Sequence, residues 1–106
     1  MNDHVIDELI VVIRSGQRVN FNGLKIALAI KNAFDSVDDS YDENEVNKVY
    51  EDTLKYIVDN YKDRKTINVE DIQDIIENIL KQDKYLVIYK SFSEYRIRRS
   101  ESRKAF

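Results

Sequence analysis

The apolar positions of this chain change period as the chain proceeds, and each change predicts an element. Leu9 to Arg14 is a continuous, mostly β-branched run, and Arg18 to Phe21 alternates polar with apolar. Ser15-Gly16 lies between them, a dipeptide suited to a tight turn because glycine enters positive φ without a Cβ clash. A β-hairpin is expected there. Asn22 follows as an N-cap, its short side chain able to accept from an orphan amide of the first helical turn. The helix it opens is expected to bury Leu24, Ala27, Leu28, Ile30, Ala33 and Phe34, nearly a full apolar wrap.

A helix-poor linker rich in Asp and Ser spans Ser36 to Asp42. From Glu43 the helical period returns: Val46, Val49, Tyr50, Leu54, Ile57, Val58 and Tyr61 keep i, i+3, i+4 spacing. Lys62 to Lys65 interrupts it, and Thr66-Ile67 reads as one short strand. Asn68 is placed to cap a third helix. Asp71 then stands in the first turn, where a carboxylate meets the positive end of the helix dipole. Ile72, Ile75, Ile76, Ile79 and Leu80 form its buried stripe. Gln82-Asp83-Lys84 turns the chain into a fourth helix through Tyr85, Ile88, Tyr89, Phe92 and Tyr95, with Tyr50, Tyr85, Tyr89 and Tyr95 at core-like positions. The expected fold class is α+β, mainly α: a four-helix bundle capped by an N-terminal β-hairpin and a third short strand.

Length and composition narrow this to one folded unit. A chain of 106 residues suits a single domain. We expect an N-terminal tail over residues 1–8, the domain over 9–100, and a C-terminal tail, or the start of a linker to a further domain, over 101–106. An apolar share of 42% supports one core. The absence of cysteine excludes disulfides, thiolate metal sites and a thiol nucleophile. No signal peptide or membrane-spanning run is seen, so the cytoplasm is the default. A net charge of −3 argues against a general nucleic-acid binder. Charge is also unevenly placed, with acidic residues crowded between Asp35 and Asp52 and Arg96, Arg98, Arg99, Arg103 and Lys104 near the end.

Two cations stand out within this acidic protein. Lys25 falls in the first turn of a helix, where the dipole disfavours a positive charge, and Arg14 closes the strand of the hairpin leading into that helix. An anion such as phosphate between them would account for both. No GxxxxGK[ST] or GxGxxG loop is present, so such a site must use side-chain cations and a helix terminus. Arg96 and Arg99, three apart, share a helix face and could add two guanidinium forks suited to a triphosphate. Val11, Phe21, Ile26, Val69 and Ile72 read as core, of which a subset could line a slot for a purine ring, with Gln73 offering an amide to a base edge. His4 stands near the terminus without partners in register, and Asp38-Asp39 lies in the linker. No catalytic constellation or metal-ligand set is found.

These residues, in this order, resemble the ATP-cone, the regulatory nucleotide-binding domain at the N-terminus of many ribonucleotide reductase catalytic subunits. Val11-Val12-Ile13-Arg14-Ser15-Gly16, Phe21 and Lys25-Ile26 follow that family's opening pattern. Ile67-Asn68-Val69-Glu70-Asp71-Ile72-Gln73 is similar to its I-x-V-E-x-I-Q run, and Tyr95-Arg96 followed by Arg99 to its closing motif. The resemblance covers about Leu9 to Arg99. It implies that Arg14, Lys25, Arg96 and Arg99 meet phosphates, and that Val11, Phe21, Asn22, Ile26, Val69, Ile72 and Gln73 surround base and sugar. It implies ATP or dATP as allosteric effector, with Mg2+, and partners in the rest of a reductase or in another cone of a homo-oligomer. ATP would favour an active reductase and dATP an inactive oligomer, so the domain would serve deoxyribonucleotide supply for DNA replication.

Two positions depart from the pattern. Ile13 replaces the first member of the family's basic pair, and Val19 stands where some members carry a carboxylate. One charged hydrogen bond contributes about 1.5–3 kcal/mol, so the loss weakens binding by roughly tenfold or more. The competing expectation is a degenerate cone acting as a protein–protein interaction module. Lacking reductase cysteines, the chain is expected to be a regulatory domain and not an enzyme, either excised from a longer protein or free-standing. Absent cysteine also excludes the four-cysteine zinc ribbon that accompanies the cone of a related transcriptional repressor.

Overall fold

The computed structural model describes residues 8–37 and 41–104, with side chains described as far as residue 98. His4, Asp38 and Asp39 lie outside the described residues. The expected hairpin is present: β1 (Ile10–Val12) pairs antiparallel with β2 (Arg18–Asn20), with Val11 opposite Val19. In the turn, the Gly16 amide donates to the Ile13 carbonyl at 2.8 Å and the Ile13 amide to the Gln17 carbonyl at 3.0 Å. Gly16 has φ +87°, and a Cβ added there would meet no atom within 4 Å. Its requirement is therefore one of backbone conformation alone. Gly16→Ala should cost about 1–2 kcal/mol, seen in urea unfolding as a lower midpoint with an unchanged slope.

The third strand is also present. β3 (Thr66–Asn68) joins the free side of β1 in parallel, so the order is β2-β1-β3 and the sheet is mixed. Its register sets Val12 beside Asn68, which decides how the functional residues meet below.

α1 (Gly23–Val37) begins as expected, the Leu24 amide donating to Asn22 Oδ1 at 3.0 Å. Its buried face is narrower than the composition suggested. Ile26, Ile30, Ala33 and Phe34 are buried, whereas Leu24 and Leu28 are 65% and 49% exposed. Both leucines stand two residues from Ile26, more than half of a 3.6-residue turn, and so point away from the core. α1 also runs two residues into the stretch expected to be linker. Ser36 Oγ donates to the Ala33 carbonyl at 2.9 Å and meets Ser91 Oγ at 2.6 Å, so its hydroxyl is satisfied inside the helix.

α2 (Glu43–Tyr61) opens on a capping box: the Glu45 amide donates to Asp42 Oδ1 at 3.1 Å and the Asp42 amide to Glu45 Oε2 at 3.3 Å. Tyr85 Oη donates to the other oxygen of Glu45 at 3.2 Å, tying this helix start to the chain reversal before the last helix. Burial, and that hydrogen bond to Glu45, raise the Tyr85 phenol above its ordinary pKa.

α3 (Val69–Gln82) follows β3 directly. Asn68 holds the N-cap position with extended backbone, but its side chain makes no capping bond, contrary to expectation. Asn68 is the last residue of β3 and its side chain is exposed, while Glu70 and Asp71 supply negative charge to the first turn. The chain then reverses through Lys84, at φ 67°, into α4 (Leu86–Lys104). Tyr95 is exposed, not core, whereas Tyr50, Tyr85 and Tyr89 are half-buried against the core. Leu9, Val11 and Ile67 bring the sheet into the same core as the buried faces of the helices. Among the described residues, no helix is long and apolar enough to cross a membrane.

Candidate functional site

A cavity of about 230 Å3 opens where the sheet meets α1, α3 and α4. Val11 and Ile13 line it from β1 and its extension, two residues apart and thus on one face. Val19, cross-strand from Val11, and Phe21 continue that apolar wall. Asn22, Lys25, Ile26 and Ala29 border it from the start of α1. Val69, Ile72, Gln73 and Ile76 present an i, i+3, i+4, i+7 stripe from α3, and Phe92 and Tyr95 reach in from α4. The wall is therefore mostly apolar, with Lys25, Gln73, Asn20 and Asn22 as its polar points.

A second recess, about 270 Å3, is lined by Arg14, Glu70, Glu77, Ser93, Arg96 and Ile97. The parallel register explains why Arg14 and Glu70 meet. Each stands two residues beyond the Val12–Asn68 pair, and Arg14 Nη1 lies 2.6 Å from Glu70 Oε1. Arg96 approaches the same carboxylate from α4, with Nη2 2.8 Å from Glu70 Oε2. Its Nη1 lies 2.8 Å from Asp74 Oδ1 and 2.9 Å from Glu77 Oε1. Glu70, Asp74 and Glu77 thus form an i, i+4, i+7 ladder on α3 that grips one guanidinium. Ser93 Oγ, three residues before Arg96, donates to Glu77 Oε2 at 2.5 Å.

Burial works against the charge of Arg96, whose side chain is 18% exposed. Its hydrogen bonds to Glu70 and Asp74 and the nearby charge of Glu77 outweigh that, holding its pKa above the ordinary value. The recess and the cavity adjoin at Gln73, which lines the cavity and accepts from Arg14 Nη2 at 3.4 Å.

A family model described as the ATP cone domain matches residues 9–101. The chain belongs to the ATP cone domain family. No curated protein matches it. A cone is a nucleotide-binding regulatory domain, not a catalytic one, and takes ATP or dATP as effector. Among the described residues, no cluster of three or more His, Cys, Asp or Glu side chains could hold a metal ion.

Val11, Phe21, Asn22, Lys25, Ile26, Val69, Ile72 and Gln73, drawn from four segments of this cone, line the one cavity. Arg14 and Arg96 line the neighbouring recess instead. The side chain of Arg99 lies outside the described residues, although its backbone continues α4. Arg98, on another face, borders a groove between α1 and α4. Sequence reasoning passed over the roles of Glu70, Asp74 and Glu77, and the lining residues Ala29, Ile76 and Phe92. The i, i+4, i+7 spacing of the three carboxylates was the available signal, and it needed a cation on a facing helix to give it meaning. Ile13 and Val19, noted as departures from the family pattern, both stand in the cavity wall.

Proposed function

We propose that this cone is an adenine-nucleotide sensor that controls ribonucleotide reductase activity by shifting its oligomeric state. The observation that carries the reading is an apolar cavity with Lys25 and Gln73 on its wall, joined through Gln73 to the Arg14–Arg96 recess. A purine would lie among Val11, Phe21, Ile26, Val69 and Ile72, with Gln73 hydrogen-bonding its edge and Asn22 near the sugar. Lys25, Arg14, Arg96 and Arg99 would receive the phosphates. Ligand pockets typically measure about 300–1,000 Å3. At about 230 Å3 the cavity therefore suits base and sugar, leaving the polyphosphate to the cationic side.

The carboxylates nearest the cations are held by Arg96, so they do not form a metal cage. Mg2+ would arrive on the phosphates, neutralising part of their charge. ATP and dATP differ by one hydroxyl and can steer an oligomer only through different affinities for its states. The partner surface would belong to another cone or to the rest of the reductase.

Isothermal titration with ATP, dATP and GTP tests the reading. Lys25→Ala should weaken adenine-nucleotide binding by about tenfold or more, the worth of one charged hydrogen bond. Wild-type affinity in the variant refutes the phosphate assignment. The presence of Ile13 and Val19 in the cavity wall favours a second reading, an interaction module that no longer binds nucleotide. Thermal unfolding separates the two. At one hundred times Kd a ligand adds about 2.7 kcal/mol of stability, and an interaction-only module shows no adenine-selective shift.

A further inference from the structure

The carboxylate of Glu70 spans two cations that a phosphate would otherwise span. Its Oε1 lies 2.6 Å from Arg14 Nη1 and its Oε2 2.8 Å from Arg96 Nη2. Phosphate offers the same bidentate oxygens to guanidinium forks, with more charge. Arg96 divides its donors between two tasks. Nη1 serves Asp74 and Glu77 and anchors α4 to α3, while Nη2 faces Glu70. Arg96 can thus exchange its Nη2 partner without leaving its anchors. The local balance matters as well: Arg14, Lys25 and Arg96 supply three positive charges, and Glu70, Asp74 and Glu77 cancel them. An incoming anion finds little net attraction until a carboxylate yields.

We propose that Glu70 is a built-in anionic competitor, a carboxylate that occupies the phosphate position in the free cone and must be displaced by the ligand. This rests on the nucleotide-sensor reading and adds its regulation. Displacement has two consequences. Weakly charged anions are rejected, because a monophosphate gains little over the carboxylate it evicts, whereas a triphosphate gains more. Glu70 also belongs to the first turn of α3, so its release uncouples the hairpin and α4 from that helix and converts occupancy into a change of helix contacts.

The test uses Glu70→Gln, which keeps the side chain's size and removes its charge. Inorganic tripolyphosphate, ATP and AMP are titrated calorimetrically into wild type and variant. Tripolyphosphate should bind the variant about tenfold tighter, the effect of removing one charged competitor. AMP should gain at least as much as ATP, narrowing the preference for the triphosphate. Glu70→Asp keeps the charge but cannot reach both guanidiniums, and should tighten tripolyphosphate binding by a smaller factor. It serves equally if the glutamine variant does not fold.

If wild type binds tripolyphosphate and both variants bind it equally or more weakly, Glu70 is no competitor, and the sensor reading stands without it. Binding to the variants but not to wild type supports the inference and identifies a cone silenced by its own carboxylate. Absence of any binding in all three proteins overturns both readings together.

Discussion

Phe34→Ala is expected to lower the unfolding free energy by about 3–5 kcal/mol, the range for emptying a large buried aromatic site. Phe34 is 1% exposed and meets Tyr41 and Tyr85 edge-to-face, with ring centroids 4.9 and 5.2 Å away. Those two rings also meet each other at 6.1 Å, so one side chain of α1 organises both the entry to α2 and the reversal before α4. Edge-to-face pairs add about 0.5–1.5 kcal/mol beyond burial, and alanine forfeits both. Domains of this size have about 5–15 kcal/mol in total, so the variant would sit near the edge of folding. Urea unfolding monitored by tyrosine fluorescence and circular dichroism measures it. A loss below about 1 kcal/mol would mean that the tyrosines collapse into the space.

Arg96→Ala should act on both stability and binding. It leaves Glu70, Asp74 and Glu77 on one helix face without their shared cation. Asp74 is 58% exposed and well screened by water, which limits the cost. Glu70 and Glu77 are less exposed, and a loss of about 2 kcal/mol is expected, below the 3–5 kcal/mol of a fully buried pair. That loss should shrink in 1 M salt, where the Debye length falls to about 3 Å. Arg96→Lys should recover only part of it, because an ammonium cannot offer two flat forks to three carboxylates. Nucleotide affinity should fall about tenfold or more, whereas Glu70→Gln raises it. Opposite signs at the two ends of one ion pair would be hard to obtain from a merely structural contact. Equilibrium unfolding at two salt concentrations, with calorimetry on both variants, measures these effects.

Local features were the legible ones. The hairpin, the Asn22 cap and the apolar stripes of α2 and α3 depend on neighbours within one or two turns, and spacing alone predicts them. Asp42 and Glu45 form a capping box that was equally local but was hidden in a stretch read as linker. Leu24 and Leu28 misled because α1 contains enough apolar residues to suggest a complete wrap, and only the helices packed beside it decide which side is covered. The cavity lining followed from the family pattern, since Val11, Phe21, Lys25, Ile72 and Gln73 carry that pattern and also share one wall. The carboxylate ladder was not legible. Whether Glu70, Asp74 and Glu77 face water or a guanidinium depends on how α4 lies across α3, a relation between segments about twenty residues apart that no period encodes. The pairing of β3 with β1 was likewise invisible, because its partner lies more than fifty residues away.

The pairing of β1 with strands from both ends of the chain makes the phosphate end of this domain a seam. Neither the segment before residue 63 nor the segment after it owns the meeting of Arg14 with Glu70. A fragment of either kind would carry one half of a clasp. Whatever seats itself across that seam is felt by the whole polypeptide, since no stretch can open globally while the two ends remain pinned together. Slowed amide exchange on occupancy should accordingly extend to α2, which touches neither the cavity nor the recess.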